Sequence, residues 1–85
     1  MLSVRTEFHL MNSGSGEVVA EIKPVPRDAH DVAEINAVLG CLSVGAPDVK
    51  VYEQQDVMIA HLAPDVKRES ACAVLGSVGC KNVDE

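Results

Sequence analysis

The tetrapeptide Ala37-Val38-Leu39-Gly40 returns as Ala73-Val74-Leu75-Gly76, thirty-six residues further along the chain. Upstream of each copy an apolar run stops at a proline: Val18-Val19-Ala20-Glu21-Ile22 before Pro24, and Met58-Ile59-Ala60-His61-Leu62 before Pro64. A chain that writes strand and then helix twice must set two similar units around one core, because neither unit can bury its apolar face alone. The runs before the prolines are offset by forty residues, so the first half carries about four more residues between strand and helix. The expected organisation is one domain over 1–85, with a first half at 1–46, a second at 47–80 and a polar, frayed tail at 81–85.

A chain of 85 residues has little interior to work with, burying only about 60% of its unfolded surface. Hydrophobic residues are nevertheless 47% of it, which favours a folded protein, and Phe8 and Tyr52 are its only aromatics, so aliphatic packing must supply the core. The formal charge of −6 repels phosphate backbones and disfavours direct nucleic-acid binding. No apolar run approaches the roughly 20 residues of a membrane span. Arg5 and Glu7 interrupt the apolar stretch an export signal would need, and the expected compartment is the cytoplasm. Cys41, Cys72 and Cys80 are odd in number and lack C-x-x-C spacing, so neither a disulfide framework nor a zinc site is expected.

Along the chain, Leu2, Val4, Phe8 and Leu10 alternate with Arg5, Glu7 and His9, predicting a half-buried strand over 2–10. Asn12-Ser13-Gly14-Ser15-Gly16 turns the chain into a second strand over about 17–23, with Val18, Ala20 and Ile22 inward and Pro24 and Pro26 ending it. A helix begins near Asp28 or Asp31, where Asp31 and Glu34 have capping-box spacing, and buries Val32, Ile35, Val38, Leu39 and Leu42. Gly45 and Pro47 end it. A hairpin follows, with strands near 50–53 and 57–62 turning at Gln54-Gln55. Pro64 opens the second helix, whose stripe is Ala71, Val74, Leu75 and Val78, and Gly79 closes it. The pattern is ββαββα, and its simplest packing is α+β: a four-stranded antiparallel sheet with both helices on one face.

The other sheet face is then open. A turn at Gln54-Gln55 sets Tyr52 opposite Val57 and Lys50 opposite Ile59, leaving Lys50, Tyr52, Val57, Ile59 and His61 outward beside Val19 and Glu21, with Val51, Met58, Ala60 and Leu62 toward the helices. An outward cluster this apolar on an acidic protein suggests a partner-binding surface. Asp28, Asp31 and Glu34 gather at the first helix start, where they suit capping and could also steer the protein toward a basic surface.

Signs of catalysis are few. Ser13-Gly14-Ser15-Gly16 has neither the lysine nor the following helix of a phosphate loop. His9 and His61 could share the open face, but no metal-ligand spacing is present, and neither metal nor cofactor is expected. None of the cysteines lies at a helix start that would lower its pKa, so all three are expected to fill space. The leading expectation is a small acidic, non-enzymatic protein-binding domain that inhibits or adapts a larger intracellular protein. Short acidic single-domain chains of this kind include phage-type inhibitors of nucleic-acid-binding or defence complexes. The alternative is a homodimeric small-molecule-binding or catalytic module with a cleft near His9, Tyr52 and His61.

Overall fold

A computed structural model describes residues 1–84. The elements run β1 (Thr6–Asn12), β2 (Val18–Lys23), α1 (Ala29–Leu42), β3 (Asp48–Val51), β4 (Asp56–His61), α2 (Arg68–Ser77) and β5 (Cys80–Asn82). The class is α+β, but the sheet has five strands in the order β3-β4-β2-β1-β5, and it is mixed rather than antiparallel. β1, β2, β4 and β3 pair antiparallel in turn, while β5 runs parallel to β1.

The expected frayed tail is therefore wrong for residues 81 and 82; Glu85, its last residue, lies outside the described residues. Gly79 adopts φ +99°, a conformation that costs glycine little, and turns the chain from α2 onto the β1 edge. Cys80 then enters the core opposite Thr6, and the Val83 N–H donates to the Phe8 carbonyl at 3.0 Å. Three residues of which two are polar carry no side-chain periodicity, and what holds them is a row of main-chain bonds.

Both helices cover one face of the sheet. Phe8, Leu10, Ala20, Ile22, Met58, Ala60 and Leu62 project from that face and pack with Ile35, Leu39 and Leu42 of α1 and with Ala71, Leu75 and Val78 at α2. Val32, Val38 and Val74, placed in the stripes by sequence, are half-buried at their margins. Strand β1 starts at Thr6 rather than Leu2, and Val4 is exposed. Helix α2 starts at Arg68, four residues beyond Pro64, which lies in the preceding turn.

The repeat is visible but imperfect. Ala20 faces Ala60 across the β2–β4 pairing, flanked by Val19 opposite His61 and Glu21 opposite Ile59. Residues forty apart thus exchange places about an approximate twofold axis at the alanine pair. Leu39 and Leu75 are both fully buried, and the four residues of each tetrapeptide have the same sequence of burial. Symmetry fails at β5, which has no counterpart beside β3 among the described residues, and in helix length, with 14 residues in α1 against 10 in α2.

Candidate functional site on the helix-free face

The second hairpin forms as expected, but its register is shifted by two residues: Lys50 faces Val57 and Asp48 faces Ile59. A four-residue connection, Tyr52 to Gln55, replaces the tight Gln54-Gln55 turn. Because side chains alternate with period two, a two-residue shift leaves every residue on its predicted face. Val57, Ile59 and His61 thus point away from the helices, as do Val19 and Glu21 of β2 and Lys50 of β3. Val51 shares the helix-side face with Val49 and Met58, yet it is 80% exposed because β3 reaches past the helical cover.

Exposure is where the expectation needs correcting. Val19, Val57 and Ile59 form a second apolar cluster with Met11 packed against it, and the three are only 7%, 5% and 7% exposed. No helix covers them among the described residues; Met11 of β1 packs against them. The result is a depression of about 320 Å³ whose lining includes Val19 and Ile59 with Glu21, Asp48, Lys50, Tyr52 and His61. Tyr52 is half exposed, and the His61 Nδ1 lies 2.8 Å from Glu17 Oε1 at the margin. The surface is an apolar floor beneath a polar and ionic rim. Asp48, at that rim, is not legible as a site residue from sequence, because the turn residues do not reveal the register that brings it opposite Ile59.

His9 does not join this site. It lies on β1 opposite Glu21, two strands from His61, and its Nδ1 is 2.7 Å from Asp84 Oδ2. Among the described residues no group of three or more His, Cys, Asp or Glu side chains is arranged to hold a metal ion. Cys41 is exposed, contrary to the space-filling role expected for it; Cys72 is half-buried, and burial pushes the Cys80 thiol up to about 11, well away from a nucleophilic thiolate.

The acidic cluster at α1 is mostly engaged in structure. Asp28 caps the helix by accepting from the His30 N–H at 3.1 Å. Asp31 does not form the expected capping box. It is buried and accepts from the Ser3 N–H at 2.8 Å, the Ser3 hydroxyl at 2.9 Å and the Val4 N–H at 3.2 Å. Glu34 lies 3.1 Å from the Met1 ammonium. These donors are neutral and leave the charge of Asp31 in place, but its buried side chain is not free to contact a partner directly.

Among the described residues no helix is long and apolar enough to cross a membrane. No known family matches the chain, and neither a curated protein nor a solved structure matches it.

Proposed function

We propose that the chain is a non-enzymatic protein-binding domain that inhibits or adapts a larger intracellular protein, and that the partner seats on the helix-free face. One observation carries the reading: an aliphatic cluster of Val19, Val57 and Ile59 lies on the face without helices, and Val19 and Ile59 line a depression there. A partner side chain seated in that depression gains about 25 cal/mol for each Å² of its own apolar surface removed from water. The mixed rim of Glu21, Asp48, Lys50 and His61 supplies directional contacts around such an anchor. With a net charge of −6, association is fastest with a basic surface, as on a nucleic-acid-binding or defence complex.

The test is affinity capture from host lysate with wild-type, Tyr52→Ala and Glu21→Lys baits. One stoichiometric partner held by the wild type and weakened about tenfold by each rim substitution supports the reading. Equal capture by all three baits, or no partner, overturns it. Ile59→Asp is unsuitable as a binding variant, because an aspartate at a 7% exposed position would be buried without a partner and unfold the protein.

A further inference from the structure

The approximate twofold axis through Ala20 and Ala60 relates β1 to β3, and the two strands differ in what lies beyond them. The outer edge of β1 is covered by β5. β3 ends the sheet, all four of its residues are exposed, and its outer row of backbone N–H and C=O groups has no strand beside it among the described residues. Val49, Val51 and Tyr52 are each more than half exposed and lie on β3 or directly after it. An open edge flanked by exposed valines is a template for a further strand.

The sequence of β3 identifies the strand that fits. Asp48 and Lys50 share the helix-free side of Asp48-Val49-Lys50-Val51, and Val49 and Val51 share the other. Two copies run antiparallel about a twofold axis at Val49 set Asp48 of each opposite Lys50 of the other, with Val49 against Val49. Centring the axis on Lys50 would place two lysines face to face, which destabilises a pair. A one-residue slip would set valines across from charged residues on each face. One register therefore satisfies both faces, and it closes on itself as an isologous dimer.

We propose that β3 is a self-association edge whose occupant is β3 of a second copy of this chain. The dimer has a continuous ten-stranded sheet, with all four helices on one side and the two helix-free faces side by side on the other. Edge pairing over four residues buries a small area, so the dimer is weak and concentration-dependent. The proposal stands apart from the partner-binding reading, because it is tested on purified protein alone.

Sedimentation velocity across micromolar to millimolar protein measures it. Asp48→Lys and Lys50→Asp should each weaken dimerisation about tenfold, since each turns two opposite-charge contacts into like-charge ones. The D48K/K50D double variant should recover the wild-type constant, because it restores both contacts with signs exchanged. An equimolar mixture of D48K and K50D chains should dimerise more tightly than either alone, since one supplies two lysines and the other two aspartates at the paired positions. Far-UV circular dichroism verifies that each variant keeps the fold. A wild type that stays monomeric to millimolar concentration overturns the proposal, as does a double variant or mixture that shows no recovery; either leaves the edge to a strand from another protein.

Discussion

Asp31 is the side chain whose structural role departs furthest from what its neighbours in sequence suggest. Its spacing to Glu34 suits a local capping box, but Asp28 takes the cap and Asp31 turns to the N-terminal segment. The Ser3 backbone N–H is the leading cause that holds its carboxyl below the usual carboxylate range; burial opposes it, and the Ser3 hydroxyl and Val4 N–H add to the lowering. A carboxyl with a depressed folded-state pKa contributes stability above its unfolded pKa, near 3.8, and loses that contribution as pH falls through the lower folded value. Asp31→Asn should therefore lower the Tm at pH 7, because an amide aims its N–H₂ group at donors. The gap between the two proteins should narrow as pH drops below about 4. Melting curves across that range check it, and a gap independent of pH would mean that the charge of Asp31 is not what ties the segment down.

The two helices begin differently, although their cores repeat. Helix α1 has an aspartate cap, whereas α2 has Lys67 in the cap position with no side-chain hydrogen bond, followed by Arg68. Both cations sit at the positive end of the helix dipole. Arg68 is retained by tertiary contacts, reaching the Leu10 carbonyl at 3.1 Å and Asn12 Oδ1 at 3.3 Å across the sheet end. Lys67 is exposed and makes no such contact among the described residues, yet its backbone has the extended conformation a cap requires. Lys67→Asp should thus stabilise the fold by about 1 kcal/mol, through a new cap and a better charge at the dipole. Urea unfolding measures this, and an unchanged or lower midpoint would show that Lys67 has a role its surroundings do not reveal.

For the molecule as a whole, β5 makes the two edges unequal. It completes the core with Cys80, caps the β1 edge and is held by the Val83–Phe8 main-chain bond. Ending the chain at Gly79 should cost about 2 kcal/mol or more, from lost apolar burial and an opened edge, and should leave a second exposed strand prone to pairing. Calorimetry compares the truncated and full chains, and an unchanged Tm would show that the parallel strand adds nothing to stability.

Sequence alone determined the α+β class and the face on which each residue of the second hairpin lies. These follow from periodicity, which is carried by side chains and survives even a two-residue error in register, as at Lys50 and Val57. The equal burial of Leu39 and Leu75 was legible in the same way, from the repeated tetrapeptide. Only the tertiary structure decided the strand order, the fifth strand, the contacts of Asp31 and the depth at which Val57 and Ile59 lie. Those depend on main-chain bonds and on contacts between residues distant in sequence. Neither leaves a local pattern in the residues that form it.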